Sequence, residues 1–178
     1  MTHTKGKLLV AASALEDRHF NRTVVFMLEH DHQGALGVVL NDPMLVHPGE
    51  IIKDWADQFE DQAVIYRGGP VATDAVIGIA RTQASSEKSL VGRVEIIDLH
   101  LSPAERSDVK QVRVFAGYGG WSAGQLEAEI EEGSWLVLEA QEDDIFYPEA
   151  DTLWAKVLTR QGGLVGRMAQ APDDPSQN

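Results

Sequence analysis

Apolar runs of strand length, separated by short polar breaks that carry glycine or proline, cover most of this chain. Residues 7–12 (KLLVAA), 23–30 (TVVFMLEH) and 35–41 (ALGVVLN) are three such runs near the N-terminus. The second and third are almost continuously apolar, which predicts strands in the middle of a sheet rather than strands with one wet face. Between them, Asp31-His32-Gln33-Gly34 has the polar, glycine-ended composition of a hairpin loop. Asn41-Asp42-Pro43 ends the third run, because proline cannot donate to a ladder.

The period then changes. From Pro48 to about Phe59, Ile51, Ile52, Trp55 and Phe59 share one helical face, with Glu50, Lys53, Asp54 and Asp57 on the other. Strand character resumes at residues 63–66, 76–81, 90–99 and 112–115, with a Gly68-Gly69-Pro70 turn and a polar loop over 82–89. Ser102-Pro103-Ala104-Glu105 is a capping box that opens a short helix. After residue 115, Gly117-Tyr118-Gly119-Gly120-Trp121 reads as a rigid turn, followed by a helix capped by Ser122 and a strand ending near Ala140. Asp151 is placed to cap a last helix that carries Leu153, Trp154, Val157 and Leu158 and stops at Gly162. Hairpins come early and single helices lie between later strands, so the class is α+β in one domain over residues 6–165. Residues 166–178 read as a disordered tail.

Composition narrows the chemistry. The 178 residues suffice for one sizeable core, and none is cysteine, which excludes disulfides, thiolate nucleophiles and cysteine-based zinc sites. No signal-peptide pattern and no membrane-length apolar run is present, so a cytoplasmic protein without membrane contact is expected. The formal net charge is −13, and between Arg113 and Lys156 ten carboxylates occur without a single Lys or Arg. That block reads as a solvated acidic face, and direct nucleic-acid binding is not expected of it.

Gly120-Trp121-Ser122-Ala123-Gly124 matches the G-x-S-x-G nucleophile elbow, but all six histidines lie at or before His100, whereas that triad needs one downstream. Ser122 with Gln125 also forms an S-x-x-Q capping box, on which reading Ser122→Ala costs about 1 kcal/mol of stability and no activity. Both dinucleotide and P-loop fingerprints fail. His30 and His32, beside Glu29, make a metal half-site without a third ligand, so neither metal nor cofactor is expected. Glu127 and Glu131 share a helical face at the spacing of an acid–base pair. Glu131 and Glu132 fall in the last helical turn, where the helix dipole disfavours anions.

Several short motifs occur together in one order: Leu8-Leu9-Val10-Ala11, Glu29-His30 with Gly34-Ala35-x-Gly37, Asn41-x-Pro43, Gly68-Gly69-Pro70, Gly117-Tyr118-x-Gly120-Trp121 and Gly124-Gln125-Leu126-Glu127. In this order they resemble the AlgH/YqgE family of bacterial proteins, over residues 6 to 162. The resemblance implies a single α+β domain with a mostly antiparallel, barrel-like sheet and peripheral helices. The family is regarded as regulating transcription or is left without an assigned activity, and it brings no catalytic residues. The chain departs from the family pattern at Ser13, Arg18, Asp42, Ala80 and Gly119. Together these readings predict a protein that binds a protein partner or a small molecule. The surface expected to do so comprises His30, Asn41, Gly68, Gly69, Pro70, Tyr118, Gly120, Trp121, Gln125 and Glu127. The alternative is an enzyme using His30, Gln125 and Glu127.

Overall fold

In the computed structural model, which describes residues 3–12 and 22–169, one eight-stranded sheet carries the core. Its strands are β1 (Lys7–Ala11), β2 (Val24–Asp31), β3 (Gly34–Val39), β4 (Tyr66–Arg67), β5 (Val71–Thr82), β6 (Val94–Ile97), β7 (Val109–Ser122) and β8 (Trp135–Glu139). The order is β6-β5-β7-β3-β2-β1-β8, antiparallel along this path, with β4 lying parallel to β7. The sheet stays open, with β6 and β8 at its edges. Helices α1 (Gln125–Glu131), α2 (Glu142–Ile145), α3 (Ala150–Gln161) and α4 (Gly163–Met168) complete an α+β domain.

Because the central strands are buried on both faces, alternate residues feed two cores. Leu8, Val10, Val24, Phe26 and Val38 pack with Leu153, Trp154 and Val157 of α3. Leu9, Ala11, Val25, Met27 and Val39 pack on the other face with Leu126 of α1, Trp121 and Trp135. Continuous apolar sequence in β1, β2 and β3 is therefore what two covered faces require. A third, smaller cluster seats Trp55 against Ala80 and Ile97.

Two slips of strand phase position the residues that matter most. In β2 the register shifts between Met27 and Glu29, so that His30 pairs with Ala35. Leu28 points to the α3 side, and unbroken alternation would send His30 the same way; the bulge turns it to the Ala35 face, beneath α1. In β7, Phe115 packs in the α3-side core, yet Tyr118, three residues on, packs against that same core while Trp121 enters the opposite one. The slip falls at Gly117, whose φ of 74° is open to glycine at little cost.

Several sequence expectations change here. The glycine-rich residues 117–121 form no turn: they are the second half of β7, paired with Val71 on one side and with β3 on the other. The amphipathic stretch after Pro48 forms two 3₁₀ turns, Pro48–Glu50 and Lys53–Gln58, instead of one helix, because Ile52 between them is non-helical at φ −106°, ψ 76°. Its face is right for Trp55, which is buried with its indole N–H on the Leu101 carbonyl, but Ile51 is 56% exposed. Ser102 and Glu105 do form their capping box, on a 3₁₀ turn, Pro103–Arg106. The cap of α3 is Glu149, and Asp151 sits inside the first turn. The strand expected over 90–99 contracts to Val94–Ile97, since Leu90 and Val91 fold back on Val94. α2 and α4 were not foreseen; α4 takes up residues 166–168 of the expected tail, while residues 170–178, like Ser13 and Arg18, lie outside the described residues.

Nor is the acidic block simply a solvated face. Asp144 is fully buried and meets Arg160 through two bonds of 2.8 Å, while Glu142 and Asp143 hold Arg81 and Glu142 also holds Arg93. The missing cations come from outside the block in sequence.

Candidate functional site

The first cluster lies where α1 crosses the sheet. His30, 5% exposed, accepts at Nδ1 from the backbone N–H of buried Thr4 at 3.2 Å, with the Thr4 hydroxyl 2.8 Å away. A backbone N–H can only donate, so Nδ1 is the acceptor and Nε2 carries the proton, which it donates to Glu127 of α1. Two residues along α1, Glu129 accepts at Oε1 from the indoles of both Trp121 (3.1 Å) and Trp135 (2.9 Å), and at Oε2 from Gln125 (2.9 Å). The two indoles meet edge to face at 6.1 Å. The partner that sequence spacing offered Glu127 was Glu131; in the fold Glu127 pairs with His30, and Glu129, not foreseen, organises the rest.

These bonds decide what the cluster can do. Both nitrogens of His30 are engaged, so it has no free position from which to serve Ser122 as a base. Ser122 itself is the last residue of β7, exposed, donating to Gln125 Oε1 at 3.3 Å, with its backbone N–H on the same oxygen. Only the glutamine half of the expected capping box is thus present, and the cap residue of α1 is Gly124. Ser122→Ala should accordingly change stability by no more than about 0.5 kcal/mol, less than the capping box alone implied. A fluorophosphonate probe should leave Ser122 unlabelled; melting curves and intact-mass spectra of the two proteins check both statements.

A second cluster is formed by backbone rather than side chains. Gly68 and Gly69 run against β7 so closely that a Cβ on Gly68 would overlap the Gly117 carbonyl oxygen, and one on Gly69 would overlap the Tyr118 backbone. Pro70, Val71 and Gly120 are exposed here, and Tyr118 is half-buried. Asn41 belongs to neither group: it accepts from the Val24 N–H at 3.0 Å and donates to the Arg22 carbonyl at 2.9 Å. The ten residues expected to make one surface therefore divide. His30, Trp121, Gln125 and Glu127 sit with α1; Gly68, Gly69, Pro70, Tyr118 and Gly120 sit at the crossing of β4 and β7. Trp121 cannot share an outer surface with Tyr118, because the phase slip places it in the opposite core, 7% exposed.

A concave feature lies elsewhere. A cleft of about 720 Å³ opens between the 3₁₀ turns that follow Pro48, the first half of β7 and the start of α3. Of the ten residues only Asn41 lines it; Phe59, Glu60, Tyr66, Lys110, Gln111, Arg113, Pro148 and Asp151 are among the others. Arg113 is held by the carbonyls of Ile145 (3.0 Å), Phe146 (3.1 Å) and Tyr147 (3.0 Å), and stacks over the Tyr66 ring at 4.2 Å. Burial pushes its pKa below the usual guanidinium range, the Tyr66 phenol and then the Glu60 charge opposing. Its sequence signal was available: a lone arginine inside the apolar strand run VRVF. Among the described residues no cluster of His, Asp and Glu suited to a metal ion occurs, and no helix is long and apolar enough to cross a membrane.

Comparison with known proteins places this geometry. The AlgH-like family model matches residues 8–166. A UPF0301 protein of Streptomyces coelicolor is 43% identical, the match covering 97% of this chain and 94% of the relative. One from Thermobifida fusca is 41% identical with the same coverage. Among solved structures, a crystal structure of a Corynebacterium diphtheriae protein superposes with a TM-score of 0.87 at 29% identity, covering 95% of this chain and 93% of that one. The solution structure of the AlgH protein from Pseudomonas aeruginosa superposes with a TM-score of 0.69 at 27% identity, covering 96% and 95%. Matched from β1 into α4, with relatives above 40% identity over nearly its full length, this chain belongs to the AlgH-like family.

Proposed function

We propose that this protein acts by binding, and that its seat is the cleft between β7, the 3₁₀ turns and the start of α3. The observation that carries this reading is the cleft itself: its volume of about 720 Å³ lies in the range of small-molecule sites, and its lining mixes apolar side chains such as Phe59 and Val64 with amide and charged ones. Supporting it, the groups that an enzyme would recruit around α1 have their hydrogen bonds taken up by one another. A role in transcription is then indirect, through the bound molecule or a partner protein. Seven of the fifteen basic side chains, Lys5, Lys7, Arg67, Arg81, Arg93, Arg106 and Arg160, are engaged with carboxylates of this chain, and the net charge of −13 opposes approach to a phosphate backbone.

Gln111→Trp tests the seat. Gln111 is an exposed wall position, so an indole there fills the cleft without entering the core. In a thermal-shift screen of small metabolites, compounds that raise the melting temperature of the wild type should lose that effect on the variant. Shifts that survive Gln111→Trp, or turnover of a substrate that depends on His30 and Glu127, would overturn the proposal.

A further inference from the structure

The cleft holds charges of both signs that have not neutralised one another. Arg113 gives three of its N–H groups to backbone carbonyls and has no carboxylate within ion-pair distance among the described residues. Lys110, in the same wall, likewise forms no ion pair there. Glu60, Glu149 and Asp151 line the cleft as well and are also without ion pairs among the described residues. The partly buried charges beside the cleft behave differently: Glu142 meets Arg93 at 2.9 Å and Asp144 meets Arg160 at 2.8 Å.

A partly buried guanidinium with no carboxylate at ion-pair distance, acted on only at longer range by Glu60, favours an entering carboxylate, which it can bind through charge-assisted hydrogen bonds. The carboxylates argue in the other direction: a polyanion such as a nucleotide would meet three of them and a chain of net charge −13. A ligand that satisfies both must carry a negative and a positive group. Apolar side chains line the cleft too, Pro43, Phe59 and Val64 among them. Resting on the cleft as the binding seat, we propose that its ligand is a small zwitterion of the amino-acid or short-peptide class. Its carboxylate lies toward Arg113 and Lys110, its ammonium toward Glu60, Glu149 and Asp151, and an apolar side chain lies along the wall.

Isothermal titration calorimetry with leucyl-leucine, N-acetyl-leucyl-leucine, leucyl-leucine amide, free L-leucine and inorganic phosphate tests this on the full chain. One of the two zwitterions should bind at least roughly tenfold more tightly than either capped dipeptide and than phosphate, one lost charged contact being worth about that factor. Which zwitterion binds more tightly separates a peptide from an amino-acid ligand. Glu149→Gln with Asp151→Asn should remove the discrimination against the N-acetyl form and lower the melting temperature by only a few degrees, because the two carboxylates favour the start of α3 but hold no ion pair of the fold. Arg113→Met should abolish binding of all the carboxylates. Since it also deletes three bonds to the backbone, Lys110→Ala, with a weaker loss, replaces it if it does not fold. Equal binding of capped and free forms, phosphate binding as tightly, or no binding of any probe would overturn the zwitterion assignment. The seat would stand even so if compounds of another chemistry stabilised the wild type and not Gln111→Trp.

Discussion

Replacing Arg160 by methionine is expected to lower the unfolding free energy by roughly 3–5 kcal/mol, because it strands a buried carboxylate. Asp144 is fully buried and its two oxygens receive the two ends of the Arg160 guanidinium, each at 2.8 Å. Arg160 also reaches the Glu139 carbonyl, so one side chain links α3 to α2 and to the end of β8. Hydrogen bonding to Asp144 holds the guanidinium pKa above its ordinary value, as expected of a paired charge. The desolvation argument makes a second claim. Removing both partners, in Arg160→Met with Asp144→Leu, should restore most of the loss, short of about 1 kcal/mol for the cap that Asp144 gives the Gln141 N–H. Urea unfolding of the three proteins measures this. A loss below about 1 kcal/mol in the single variant would mean that solvent screens the pair as it does an exposed one.

The second large effect is expected at Gly117. Alanine there meets two separate costs: about 1 kcal/mol for an L residue at φ 74°, and roughly 1–3 kcal/mol for a methyl group 2.5 Å from the Gly69 carbonyl oxygen and 3.0 Å from that of Val71. Together they amount to roughly 2–4 kcal/mol. Gly124 supplies the control. Its φ is 78° but a methyl group would meet nothing within 4 Å, so Gly124→Ala should cost only the first part. If the two variants are equally destabilised, the close approach of the Gly68-Gly69 segment to β7 contributes nothing.

How far the chain could be read in advance follows from the range over which each feature is decided. The early strands and their hairpin were legible because burial of β1, β2 and β3 on both faces writes itself into unbroken apolar runs. Likewise the Ser102–Glu105 box needs only four adjacent residues. What failed was set at a distance. Three glycines in five residues look like a turn locally; they are a strand because β3 and Val71, far earlier in the chain, pair with them, and because Gly69 presses on Gly117. The slips at Leu28 and Gly117 are equally silent in the hydropathy pattern, yet they decide that His30 lies under α1 and that Trp121 is interior. The pairing of Glu127 with His30 depends on the first of these. The cleft was missed for another reason: its charges come from three segments far apart in sequence, and only the unaccompanied Arg113 marks any of them.

The place of β7 in the sheet also fixes the order in which the molecule can be completed as it is made. Its neighbours along the path are β3 and β5, both earlier in the chain. A nascent chain that has emerged only as far as β6 therefore holds the β1–β3 meander and the β5–β6 pair without the strand between them, linked by such bonds as Val39 N–H to the Gly68 carbonyl, each with a long bare edge. Such edges are what other strands pair with. Until residues 109–122 leave the ribosome, the half-made protein is at its most adhesive, and a stop before that point yields an aggregating fragment rather than a smaller domain.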